Sequence, residues 1–313
     1  MTMDSAPNYR SINENKANFD QIYTRPDPRE YYRVLYGLDY IIPDLAKLVF
    51  RNVIAALQDR RKHRVKVLDL GCSYGNNGAL IRMPLDLDRL AKRYSDLDVE
   101  TVSPRELMAL DRSYFQSWPK LDVDIVGIDV SRPAIDYARS VGLIEEGLAI
   151  NLETEPVSAA CRDMIRDVDL IITTGSVGYV TERSFGKLLT AIGQPAPWIA
   201  SFVLRMFPYS RLTGLFDTAG LVTEKFSGVT FVQRRFHSEE ECVGVLARLE
   251  AQGIDPGGKE ANGLLHAELF LSRPAEEAGD RPLEDIVSVT SGGDRRFGRR
   301  FRRYGEDAIR FGL

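Results

Sequence analysis

Residues 65–80 read VKVLDLGCSYGNNGAL. Val65, Val67, Leu68 and Leu70 make an apolar, β-prone run that stops at Gly71. Gly75 and Gly78 follow at short intervals, and the stretch then turns apolar with helical character. A strand, a glycine-rich turn and a helix are therefore expected in that order. Glycines let a backbone approach a ligand closely, and the start of a helix presents unbonded N–H groups. The turn lacks the G-x-G-x-x-G spacing that accommodates a pyrophosphate. Asp69 ends the strand before the first glycine. Its carboxylate would repel a pyrophosphate and attract an ammonium group.

The rest of the chain repeats the strand–helix alternation. Strands are expected at 124–130, 147–152, 168–175, 198–207 and 264–273, with helices at 132–141, 181–192 and 238–253. Apolar strands alternating with helices imply a parallel sheet covered on both faces. Ser238 followed by Glu241 makes a capping box for the last of these helices. Upstream, Pro43 suits a first helical turn, and Leu45, Val49, Val53 and Leu57 recur at helical spacing. A tyrosine-rich segment carrying Tyr31, Tyr32, Tyr36 and Tyr40 precedes it.

The run Asp69-Leu70-Gly71-Cys72-Ser73-Tyr74-Gly75 resembles the first motif of class I S-adenosylmethionine-dependent methyltransferases, with Ser73 in place of the usual middle glycine. Gly127-Ile128-Asp129-Val130-Ser131 resembles the second motif, whose acidic residue takes the ribose hydroxyls. A carboxylate accepts two hydrogen bonds well, which suits that role. Asn151-Leu152-Glu153 falls where the family recognises adenine, and Asp169 to Ser176 resembles the fourth motif. The resemblance spans roughly 65–273. It implies an α/β fold with a doubly wound, mostly parallel seven-stranded sheet and an antiparallel last strand. It also implies S-adenosylmethionine as cofactor, contacted by Asp69, Gly71, Cys72, Ser73, Gly75, Asp129, Val130, Asn151, Leu152, Thr174 and Gly175.

Three regions flank that core. Residues 1–64 are expected to form an N-terminal helical cap, as members of the family often have. Extra segments at 83–123 and 207–237 are larger than a minimal doubly wound unit needs, and are expected as lids. The tail 274–313 is basic, and Phe297, Phe301, Tyr304 and Ala308 share one helical face. That face would be an anionic-partner surface or a docked helix, although Gly298 and Gly305 weaken the helix.

Methyl transfer needs an acceptor in line behind the methyl group and water kept out; positioning supplies much of the rate. Tyr32, Tyr36 and Arg205 are the candidate substrate-binding residues. Ser176 and Tyr179 leave the fourth strand at the reactive end and are candidates for orienting a substrate there. His237 is the candidate histidine for catalysis; His63 is expected in solvent and His266 packed. An alternative keeps the cofactor and cyclises its amino-acid part to azetidine-2-carboxylate, releasing methylthioadenosine. A further alternative is a non-catalytic cofactor-binding regulator.

The 313 residues carry a net charge of −4, which gives no field for nucleic acid. No run approaches the ~18–20 apolar residues of a membrane span, and the polar N-terminus has no secretory signature. Cys72, Cys161 and Cys242 are too far apart for a metal knuckle and read as buried thiols of a cytoplasmic protein. No metal is expected, the partner expected is a small-molecule substrate, and a homodimer is left open.

Overall fold

The computed structural model describes residues 19–288, 301–304 and 308–311. Before the sheet lie α1 (Asp20–Tyr23), α2 (Arg29–Gly37) and the long α3 (Ile42–Arg61). Pro43 sits in the first turn of α3, where a missing N–H costs nothing, and Lys62 closes it in the left-handed conformation.

Then follow β1 (Lys66–Leu70), α4 (Asn76–Arg82), α5 (Leu87–Tyr94), α6 (Leu97–Glu100) and α7 (Pro104–Gln116). Next come β2 (Asp124–Asp129), α8 (Arg132–Ser140), β3 (Glu146–Ala149), α9 (Ala159–Ile165), β4 (Leu170–Thr174), α10 (Glu182–Ile192) and β5 (Trp198–Leu204). The chain closes with α11 (Ser210–Thr218), β6 (Leu221–Lys225), β7 (Phe231–Arg235), α12 (Glu239–Ala251), β8 (Leu264–Pro274), α13 (Ala275–Asp280) and α14 (Leu283–Ile286).

The strands run in the order β3-β2-β1-β4-β5-β8-β6, and β7 also pairs with β8. Pairings among β1 to β5 are parallel, and β8 is antiparallel to β5, β6 and β7. The doubly wound sheet with an antiparallel strand near one edge is therefore present. Its eighth strand arises because one edge place is split. β6 lies along Phe270–Pro274 and β7 along Leu264–Ala267, both on the side of β8 away from β5.

That split corrects the reading of 207–237 as a lid. The segment holds α10's neighbour α11 and both edge strands. LVTEK and FVQRR each open on two adjacent apolar residues and continue polar, with no alternation, so periodicity misses them. The other extra segment, 83–123, holds α5 to α7 and packs with the cap. Tyr32 of α2 stacks on Tyr94 of α5 with ring centroids 4.7 Å apart.

Side chains alternate between the two faces as the pleat requires. Val67, Ile125, Ile172 and Phe202 point to the α3 side, with Phe50 and Leu57. Leu68, Val126, Ile171 and Val203 point to the other, with Phe185, Phe216 and Leu249. A third cluster joins cap, insertion and loop, and is rich in tyrosine: Tyr31, Tyr32, Tyr74, Tyr94 and Tyr137. At its base the buried Asp111 accepts from Tyr137 (2.6 Å) and Arg93 (2.7 Å).

The folded body continues past residue 274, since Leu283, Ile286 and Val287 are buried in the α3-side core. Farther on, β9 (Phe301–Tyr304) pairs antiparallel with β10 (Ala308–Phe311). An antiparallel strand pair replaces the expected helix at these positions; Phe297, Gly298 and Gly305 lie outside the described residues. Among the described residues no helix is long and apolar enough to cross a membrane.

Candidate functional site

The turn after β1 is a close-packed bend. Gly71 and Gly75 both have φ of +81°, in the left-handed region that favours glycine. A Cβ on Gly71 would lie 2.9 Å from Ser176 Cβ. The bend brings Asp69, Ser73 and the first residues of α4 to the carboxyl ends of β1 and β4, where open parallel sheets bind ligands.

Asp69 is fully buried. Its Oδ1 accepts from Asn77 Nδ2 at 3.0 Å, and the same amide reaches Thr174 Oγ1 at 3.2 Å. Its Oδ2 is buried with no hydrogen-bond partner, and Ser73 Oγ is in the same condition. Burial, together with the nearby Asp129 charge, raises the Asp69 carboxyl to about 7. Such a group becomes a stable carboxylate when a cation arrives.

Asp129 ends β2 beside this loop. Its Oδ2 accepts the Ser73 N–H at 2.9 Å and its Oδ1 the Ser131 N–H at 2.8 Å. Each oxygen keeps a lone pair. Burial pushes the carboxyl up while these N–H groups pull it down. The next residue, Val130, is 69% exposed, an unusual state for valine that leaves an apolar surface beside the carboxylate. Leu152 is buried in the core on the face opposite α3. Asn151 makes a turn: its Oδ1 accepts from Glu153 N at 3.0 Å. Glu153 in turn caps α10, accepting from Thr181 N (2.8 Å) and Ser184 Oγ (2.6 Å).

At the end of β4, Thr174 and Gly175 stand by the Asp69–Asn77 pair. Ser176 Oγ donates to Leu70 O at 3.1 Å and also meets Thr173 Oγ1, so it ties β4 to β1. Tyr179 is half exposed.

The cleft above this floor is lined by Tyr23, Tyr31 and Tyr40 of the cap, with Pro43, Gly71, Cys72, Ser73, Asn76, Asn77 and Thr174. Tyr31 meets Tyr23 and Tyr40 edge-on, with centroids 5.6 and 6.3 Å apart. Burial raises all three phenols, Tyr40 to about 12, so they stay protonated. Sequence reasoning anticipated tyrosines here but singled out others. Tyr32 is buried one layer deeper, donating to Asn76 Oδ1. Tyr36 is partly buried against the same cluster. The missed residues Asn76 and Asn77 had one available signal, two amides opening the helix after Gly75.

Two further candidates, Arg205 and His237, stand elsewhere. Arg205 is 9% exposed, paired with Glu260 and donating to Asp255 O at 2.8 Å, so its charge is already used inside the protein. His237 sits before α11's successor α12 with its N–H on Glu241 Oε2 (2.8 Å) and its ring edge-on to Phe19. His266 is held neutral, lowered to about 3 by burial and by Arg205, with Nδ1 on Thr230 Oγ1 at 2.9 Å. His63 is exposed, its Nδ1 2.9 Å from the Arg64 carbonyl.

No family model and no curated protein matches the sequence. Solved structures resemble it weakly. The plantazolicin methyltransferase BpumL, in complex with a monoazolic desmethylPZN analog and SAH, is 14% identical, with 85% of this chain and 97% of that one covered at TM-score 0.44. A TehB-like SAM-dependent methyltransferase from Corynebacterium glutamicum is 17% identical, with 68% and 84% covered at 0.33. The precorrin-6y C5,15-methyltransferase from Geobacter metallireducens is 9% identical, with 71% and 88% covered at 0.36. Nothing about substrate transfers across such distances.

Proposed function

We propose that this chain is an S-adenosylmethionine-dependent methyltransferase acting on a small acceptor in the cap-covered cleft. The observation that carries the reading is Asp69 Oδ2, a buried carboxylate oxygen with no partner beside a glycine bend. An unpaired buried oxygen destabilises a protein unless a ligand satisfies it. An ammonium group would do so, and the cofactor's amino-acid end provides one.

The other residues fit the same molecule. Asp129 keeps a lone pair on each oxygen for ribose hydroxyls, and the exposed Val130 offers apolar surface to adenine. Cys72, Gly71 and Ser73 line the cleft with the cap tyrosines. When bound, the cofactor supplies an electrophilic methyl group on a sulfonium. The protein's part is positional: Tyr23, Tyr31 and Tyr40 exclude water and present ring faces that favour a cation. Ser176 keeps β1 and β4 in register, and Thr174 holds Asn77 against Asp69.

Calorimetry with S-adenosylmethionine and S-adenosylhomocysteine tests the reading. Asp129→Ala should weaken binding by about 1–3 kcal/mol. Absence of binding to the unaltered protein sinks the proposal. Incubation with the methyl donor alone, followed by mass spectrometry, separates transfer from cyclisation; methylthioadenosine as product would point to the latter.

A further inference from the structure

Gln233 is the bulged residue of β7. The β7–β8 register slips between Val232 and Arg234, leaving Gln233 without a place in the ladder. Bulges next to binding sites commonly re-aim one side chain. The backbone of Gln233 is held from the cap side, where its carbonyl accepts the Ile41 N–H at 2.9 Å. The carboxamide reaches the end of β4, and a Cβ on Gly175 would lie 2.4 Å from its Nε2. Thr174 and Tyr40, the chain neighbours of Gly175 and Ile41, both line the cleft. Gln233 is 5% exposed, and its Oε1 is buried with no hydrogen-bond partner.

A buried amide oxygen in that state lowers stability until something donates to it. The fold does not require one, since a methionine would fill the same length. The orphan therefore points to a ligand that carries a donor. The cleft's charge narrows the choice. Among the described residues that line it none is basic, and the three phenols are neutral. Arg234, next in the chain, is engaged on both terminal guanidinium nitrogens by Glu241, at 2.8 and 2.5 Å. The Arg234 charge reaches Tyr23 and Tyr40 but is already neutralised by Glu241, so an anionic acceptor would gain little from it. An amine would find aromatic faces and a carbonyl oxygen.

We propose that Gln233 positions the methyl acceptor, with Oε1 accepting an N–H of a small amine, and that amines are the substrate class. The assignment rests on the cofactor reading above. The amine enters as the free base with one N–H on Gln233 and its lone pair toward the methyl carbon. The N–C bond forms as the S–C bond breaks, with that bond's electron pair retained on sulfur as a thioether. The product ammonium loses its proton to water.

The test uses the full chain saturated with S-adenosylhomocysteine and three probes of one shape: benzylamine, benzyl alcohol and benzoate. Calorimetry should give benzylamine at least tenfold tighter than benzoate. Gln233→Met should weaken benzylamine at least fivefold, keep the S-adenosylhomocysteine affinity within twofold, and leave the ligand-free melting temperature equal or higher. Benzylamine affinity unchanged in Gln233→Met, or benzoate preferred over benzylamine, overturns the assignment while leaving the cofactor reading intact. Failure of S-adenosylhomocysteine to bind the unaltered protein overturns both. A lower melting temperature with unchanged benzylamine affinity marks Gln233 as a packing residue and overturns it too.

Discussion

The Tyr74 hydroxyl lies 2.8 Å from the carbonyl oxygen of Ile22 and 2.9 Å from that of Arg25. One phenol in the glycine-rich bend thus holds the chain at the end of α1, and Ser131, two residues after Asp129, donates to the carbonyl of Tyr23. The loops that follow Asp69 and Asp129 are both fastened to the segment that brings Tyr23 over the cleft.

Tyr74→Phe should loosen that fastening without emptying the core. The ring stays, and two carbonyls lose their shared donor. A cost of about 1–3 kcal/mol is expected. Hydrogen exchange should rise at residues 19–25 before the sheet is affected. Unchanged exchange there would mean that the cap is held by packing alone.

The Asp69 carboxyl makes stability depend on pH with an unusual sign. Its folded value, about 7, lies above the ordinary 3.8, so the folded state binds the extra proton between them. The ligand-free protein should be more stable at pH 5 than at pH 8, by no more than about 3 kcal/mol. Chemical denaturation at the two pH values measures this, and Asp69→Asn should flatten the difference. Affinity for a cationic ligand should move the opposite way, rising as the carboxylate forms.

Gly78→Ala sets two effects against each other. Alanine in a helix interior favours folding by about 1 kcal/mol over glycine. Here the new Cβ would meet the Leu143 carbonyl oxygen at 2.4 Å, and a backbone atom cannot swing aside. Overpacking of this kind costs about 1–3 kcal/mol or more. The variant should therefore melt lower; a higher midpoint in denaturant would show that α4 and the α8–β3 loop can separate freely.

The Arg234–Glu241 pair is nearly inaccessible, with side chains 3% and 2% exposed. Arg234→Ala should cost about 3–5 kcal/mol by leaving the buried Glu241 carboxylate without its guanidinium, with the His237 N–H still on Oε2. Replacing both with apolar residues should recover most of it. A double-mutant cycle in urea reads the difference.

Much of the sheet was legible because buried parallel strands are continuous apolar runs, as in VKVLDL and DIVGID. Asp69 and Asp129 were legible from their place at the strand ends. The edge strands were not, since LVTEK and FVQRR open on two apolar residues and continue polar, and the buried Gln233 and Arg234 of β7 carry no hydrophobic signal. Nor was the layer of each tyrosine: α2 puts Tyr31 at the cleft and Tyr32 one layer behind, a difference set by where α5 packs and not by helical spacing. Arg205 looked available at a strand end because Glu260, its partner, lies 55 residues away.

The loop after α2 also bonds along β7, with Ile41 N on Gln233 O at 2.9 Å and Arg235 N on Leu38 O at 2.8 Å. These contacts occupy the side of β7 that β8 does not, which would otherwise offer free N–H and C=O groups to another chain. A protein cut to begin at α3 would keep the two core clusters that flank the sheet and lose this covering. It should self-associate through β7, and size-exclusion chromatography of such a truncation would detect it. The same few residues that close the cleft also keep the sheet from growing.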